Sequence, residues 1–510
     1  MEKRGPLVVF ALDSANLDLL ERWVGEERLP HLASLLRGCA PLTIEGGCYD
    51  EGGSWVSAWS GVHQKRHGFY SGRRLAPGSH RLETCYPEQA AARPFWSDFA
   101  ERGLRAAILE PPESYVCPGV PGLQLVRATV HQEQYARAAP RSEPARALEE
   151  MLAALGGYRP LRFDRFGRGP AFYRKELRKN LDLMRRRCTA YRGLLGREPY
   201  DLIVIGFNET HDPTHLLWPF HRGARRDDGV GRELANGVRA LYEAMDREIG
   251  RFLDVLPSGA TVALVSVYGI KSQYPTAALG EALLQKLGHQ VPRKASVASG
   301  PMGLARRVLP EGVRHSLSKH LPSGVQEALL REGFADRIDF SRSAAFAMPS
   351  LYTNWVRVNL KGREPLGIVA PGNYDGLLDQ IEENFRQLVD PVTGEPAVSR
   401  VLRPVDRRED PSGSSLPDLF VHWRPGGHFM ERVLHPGGEL RQPTPGFLRD
   451  SYHELPGFLV LSGAAAARCS GTCSILDLAP TFLDLLGHPP TPAMTGRPLL
   501  APPALPGPTH

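Results

Sequence analysis

The 510-residue chain has no run of roughly 18 apolar residues, so no helix that crosses a bilayer is expected. The apolar stretch Leu7 to Leu12 is too short for the core of a secretion signal and reads instead as a buried strand. There is no Cys-x-x-Cys. The seven cysteines, at 39, 48, 85, 117, 188, 469 and 473, are odd in number and scattered, which gives no disulfide framework. Free thiols, and with them a reducing cytoplasm, are the expectation. Charge of one sign is scarce too. Lys and Arg number 62 and Asp and Glu 56, and 62 − 56 leaves +6. That suits a small anionic substrate but is too weak for a nucleic-acid footprint. No internal repeat is present. What the chain does have is material for a core, with 42% hydrophobic residues.

Short apolar runs recur, each followed by a loop and a helical pattern: Leu7 to Leu12, Ala106 to Leu109, Asp201 to Gly206, Thr261 to Ser266 and Phe458 to Ser462. Runs of this kind fit strands buried on both faces of a parallel sheet. Strands alternating with helices predict an α/β fold with a doubly wound, mostly parallel sheet. Ligands in such sheets bind beyond the carboxyl ends of the strands. Asp13, Asn208 to His215, and Val267 with Tyr268 follow those ends. Two stretches break the rhythm, near 112–200 and 275–345, and read as cap insertions in a domain over 1–499. Residues 500–510 hold four prolines and read as a loose tail.

Several segments carry a family resemblance. Phe10-Ala-Leu-Asp13 resembles a first strand, and Ser57-Ala-Trp-Ser-Gly61 with Lys65-Arg-His67-Gly68 resembles the helix after a nucleophile. Asn208-Glu-Thr-His211-Asp-Pro-Thr-His215 is similar to an Asp-x-x-x-His metal motif. Asn359-Leu-Lys-Gly-Arg-Glu364, Asp390-Pro-Val-Thr-Gly-Glu395, Pro417-Asp-Leu419 and Ser474-Ile-Leu-Asp-Leu-Ala-Pro-Thr-Phe482 continue the likeness in order. Together they resemble the type I phosphodiesterase/nucleotide pyrophosphatase branch of the alkaline phosphatase superfamily.

That resemblance implies a two-zinc site, where metals clamp a phosphoryl group while a Thr or Ser hydroxyl attacks. The first metal set would here be His211, in place of an Asp, with His215 and the distant His453. Three imidazoles with an open position make a plausible catalytic zinc set, so one divalent ion, zinc by ligand type, is expected. The second set fares differently. Asp13 is kept, but the nucleophile's position falls on Glu51 and the Asp-His pair on Val267 and Tyr268. Valine offers no ligand atom and a neutral phenol a poor one. Asp13, Glu51 and Tyr268 are therefore the candidate acid/base groups, and Asn208 and Trp55 the candidate substrate contacts.

Three readings stay open on sequence. One is a single-metal enzyme acting on a small molecule by hydrolysis, elimination, cyclisation or group transfer. Another is a pseudoenzyme that binds or scaffolds with a relic pocket. The last is a phosphodiesterase or phosphatase with a remodelled site.

Overall fold

A computed structural model of the chain describes residues 5–37, 39–129, 139–156, 169–222, 231, 234–257, 259–293, 334–407, 409–444, 449–463 and 471–500. The tail at 501–510, Cys469 and most of the second expected cap lie outside them. The described residues divide into two compact units. One comprises residues 1–69, 87–271 and 453–510, and the other residues 70–86 and 272–452.

The first unit is built on a nine-stranded sheet. Its strands in chain order are β1 (Leu7–Leu12), β2 (Leu42–Ile44), β3 (Ala106–Leu109), β4 (Gly122–Val126), β5 (Arg141–Glu143), β6 (Leu202–Phe207), β7 (Thr261–Ser266), β8 (Gly457–Leu461) and β9 (Thr472–Cys473). Across the sheet they run β9-β2-β8-β7-β1-β6-β3-β4-β5. β1 is parallel to β6 and β7, β3 is parallel to β4 and β6, and β9 is parallel to β2. β8 runs antiparallel to both neighbours, and β5 antiparallel to β4. The fold is thus α/β with a mostly parallel central sheet.

Side-chain alternation along β1 feeds two cores. Val8, Phe10 and Leu12 pack with Trp23, Tyr191, Tyr242 and Phe252 on one face. Leu7, Val9 and Ala11 pack with Trp55, Trp59, Trp96 and Phe482 on the other. A strand covered on both faces must be apolar at every position, and all six β1 residues are buried. The helices Pro170–Leu195 and Gly237–Leu253 belong to the first layer, and Ser54–Ser60 and Leu478–Leu485 to the second.

Residues 112–200, which read as a cap, supply β4 and β5 to the sheet edge and the helices Arg146–Leu155 and Pro170–Leu195 to one layer. Gln124 interrupts the apolar pattern of β4, and its side chain is spent on the backbone of Cys117. That interruption is why the strand was not legible.

The second unit holds a four-stranded antiparallel sheet, ordered Ala345–Met348, Thr353–Val358, Leu419–Trp423, Val398–Leu402. The helices Ala277–Lys286 and Tyr374–Arg386 contribute Leu283 and Phe385 to its core. Asp418 ties it together, accepting from Arg363, Tyr374 Oη and Val358 N.

Candidate metal centre

Strand register decides which residues can meet. Leu12 lies opposite Phe207, and Ala11 opposite Val265, so Asp13, Asn208 and Val267 emerge at one end of the sheet. β8 is antiparallel, with Phe458 opposite Ser266 and Gly457 opposite Ile44. Its beginning, preceded by His453, and the loop after β2, carrying Glu51, therefore reach the same end.

The three histidines converge there. His211 sits at the start of the helix Asp212–His221, and His215 N donates to His211 O at 2.9 Å, so one turn brings both rings to one side. His211 Nε2 is 2.8 Å from His453 Nε2, and His215 Nε2 is 3.2 Å from that same atom. Ring centroids lie 4.9 to 5.1 Å apart. Among the described residues these three form a His/Cys/Asp/Glu group able to hold a metal ion.

Carboxylates lie beside two of the rings. His211 Nδ1 is 2.9 Å from Asp212 Oδ1 and 3.8 Å from Asp13 Oδ2. His453 Nδ1 lies 3.8 Å from Glu51 Oε1. Two ring nitrogens 2.8 Å apart are held by a proton or a cation between them, since two bare lone pairs at that distance would repel. Ligand nitrogens on a tetrahedral zinc, with bonds of ~2.0–2.1 Å, lie about 3.3 Å apart. The observed spacing is within a small shift of that, so the donor set fits a zinc-like ion.

Asp13 is fully buried, and one of its oxygens, Oδ1, receives both Trp55 Nε1 at 3.0 Å and Tyr268 Oη at 3.1 Å. Burial, then the charges of Asp13, Glu113 and Glu51, push the Tyr268 phenol well above its ordinary pKa, so it keeps its proton and donates. Its ring lies 4.5 Å from that of His453 at 31°. Val267 is fully buried among apolar side chains. Trp55, read as a substrate contact, is also fully buried, and its single donor is spent on Asp13. Asn208 is half-buried, and neither its amide nitrogen nor its amide oxygen has a hydrogen-bond partner among the described residues.

Sequence reasoning missed Glu113. It takes a left-handed φ of 50° and accepts from Gly53 N at 3.2 Å and Val56 N at 3.3 Å, capping the helix that carries Trp55. Its one signal was its place shortly after β3. Asp212 was missed as well, although it adjoins His211.

A family model for type I phosphodiesterase/nucleotide pyrophosphatase matches residues 7–439. The chain belongs to this family. A 2,3-bisphosphoglycerate-independent phosphoglycerate mutase of Streptomyces coelicolor is 42% identical over 64 residues, 12% of this chain. The chain covers 11% of that relative's length. Among solved structures, phosphonoacetate hydrolase of Sinorhizobium meliloti is similar at 12% identity and a TM-score of 0.49, covering 95% of this chain and 96% of that one. Murine ectonucleotide pyrophosphatase/phosphodiesterase 5 is similar at 11% identity and a TM-score of 0.44, covering 96% of each chain. The superfamily is one of metal-dependent hydrolases, and this chain has a three-histidine cluster at its sheet end.

Proposed function

We propose that this phosphodiesterase-family chain is a single-metal enzyme, acting on a small anionic molecule without a phosphorylated hydroxyl intermediate. The observation that carries the reading is the convergence of His211, His215 and His453 through Nε2, with Asp212 and Glu51 behind two of the rings. Those three residues would hold one divalent ion, zinc by ligand type, with a position left for substrate or water. Such an ion supplies Lewis-acid polarisation of a carbonyl, phosphoryl oxygen or water.

The chain's own residues supply the rest. Asp212 and Glu51 are the carboxylates beside the His211 and His453 rings and the proposed groups that orient them. Asp13, Trp55 and Tyr268 form a closed hydrogen-bonded group on the side where the family keeps a second ligand set. The two positions that replace the family's Asp-His pair there are poor ligands, since Val267 has no ligand atom and the Tyr268 phenol keeps its proton. Glu51 is more accessible, with a side chain 19% exposed against 0% for Asp13, and is the proposed proton-transfer group. The unpartnered Asn208 amide is the proposed substrate contact, since a shielded amide left unbonded is costly and a ligand would satisfy it.

Elemental analysis after mild purification tests this reading. About one equivalent of metal per chain, lost in His215→Ala, is the expected result. A metal-free wild type, folded and indifferent to chelators, would refute it and leave the binding-module reading.

A further inference from the structure

Arg187 lies within the helix Pro170–Leu195 and is fully buried in the apolar layer formed with Met184, Cys188 and Tyr191. Its Nη1 donates to Gly206 O at 3.0 Å, and its Nη2 to Glu209 Oε2 at 2.6 Å. The guanidinium also lies 5.8 Å from the ring centroid of Phe207. One planar fork thus grips the end of β6 at Gly206 and the turn after it at Glu209, which leads into His211. The same turn is tied from the other side by Thr210 Oγ1, which donates to Asp13 O at 2.6 Å and Phe207 O at 3.1 Å. At Gly206 the backbone packs directly on that of Glu110, where a Cβ would lie 2.0 Å from Glu110 O. Asn208 O then accepts from His211 N at 3.1 Å.

A buried ion pair is a poor choice for stability alone, since apolar side chains of similar volume serve as well or better. What the pair adds is direction. Arg offers donors in a rigid fork, and a fork can fix a turn that an apolar contact would let shift. A metal site needs that, because its ligand atoms must stay within about 0.2 Å of their bonding distances.

We propose that Arg187 and Glu209 are a positioning strut, setting the place of His211 and His215 and thereby the strength with which the cluster binds metal. The strut rests on the metal reading of the site. It acts through the turn and touches neither the ion nor the substrate.

Zinc titration by calorimetry tests it in the full chain. The proteins compared are wild type, Arg187→Lys, the double variant Arg187→Met/Glu209→Met, and Arg197→Ala, which breaks the exposed Arg197–Glu150 pair as a control. Urea unfolding in EDTA reports stability separately. The double variant is expected to keep the wild-type urea midpoint and to bind zinc about 10–100-fold more weakly, the usual scale for outer-shell partners. Arg187→Lys should also weaken binding, because an ammonium cannot span both acceptors, and the control should match wild type. A folded double variant with wild-type zinc affinity overturns the strut while leaving the metal site standing. If the double variant does not fold, Arg187→Lys decides alone, and unchanged affinity there overturns the strut. A wild type that binds no zinc overturns the metal reading and the strut with it.

Discussion

Tyr268→Phe is the sharpest single test of how the site is organised. The substitution removes one hydroxyl and keeps the ring, so the 4.5 Å contact with His453 and the packing against Trp55 survive. What is lost is the donor at 3.1 Å to Asp13 Oδ1, a fully buried carboxylate oxygen. Hydrogen bonds to charged groups contribute about 1.5–3 kcal/mol. At 3.1 Å this one is longer than the usual hydroxyl–oxygen distance, which places it at the low end of that range. Asp13 still has Trp55 Nε1 at 3.0 Å, so the expected loss is about 1.5 kcal/mol. Trp55→Phe removes that other donor and also the stacked contact with Trp59 at 5.1 Å, so about 3 kcal/mol or more is expected. The two changes should be more than additive, by about 0.5–3 kcal/mol, because the double variant strips both donors from one buried oxygen. Urea unfolding of metal-free protein at neutral pH, followed by tryptophan fluorescence for the Tyr268 variant and by circular dichroism for all, measures each value. A Tyr268→Phe protein within about 0.5 kcal/mol of wild type, with strictly additive behaviour, would refute the shared-oxygen arrangement.

Further expectations concern pH, capping and the reaction. His67 is buried, receives Phe69 N on Nδ1 at 3.1 Å and meets Ser57 Oγ at 2.9 Å, and burial lowers its pKa to about 3. A depressed folded pKa contributes stability that is present above the unfolded value near 6.5 and lost as pH falls toward about 3. Between pH 7 and 4.5, His67→Gln should therefore lose about 2–3 kcal/mol less than wild type in paired urea titrations, at ~1.4 kcal/mol per pH unit. Glu113→Ala should cost about 1 kcal/mol through the lost cap of the Ser54–Ser60 helix, with Glu113→Gln milder, by the same measurement. Wild type should show little or no turnover of a chromogenic phosphodiester, and Glu51→Thr alone should not raise it. Only Glu51→Thr with Val267→Asp and Tyr268→His completes the second ligand set, and a second equivalent of bound metal should then appear. A robust wild-type rate on that substrate that survives Glu51→Ala unchanged would contradict the proposed role of Glu51.

The sequence by itself determined the sheet strands β1, β3, β6, β7 and β8, because a strand buried on both faces must be apolar throughout and announces itself locally. It also determined the family and the candidate residues at the strand ends, since motif spacing survives in the chain whatever the fold does with it. It did not reveal β4, where one buried glutamine breaks the pattern, nor the second unit's extent, which is a matter of contacts between distant segments. Tertiary structure alone decided what the candidates do to one another. That His453 meets His211 and His215 follows from the antiparallel placement of β8, which no local pattern encodes. That Trp55 and Tyr268 share one oxygen of Asp13, and that Glu51 lies behind His453 on its Nδ1 side, depends on side-chain directions set by packing. The identity of the candidate ligands is carried by residue type, and so the candidates could be named from the sequence. Ligand geometry is carried by strand register and buried hydrogen bonds, and it exists only once the chain has folded.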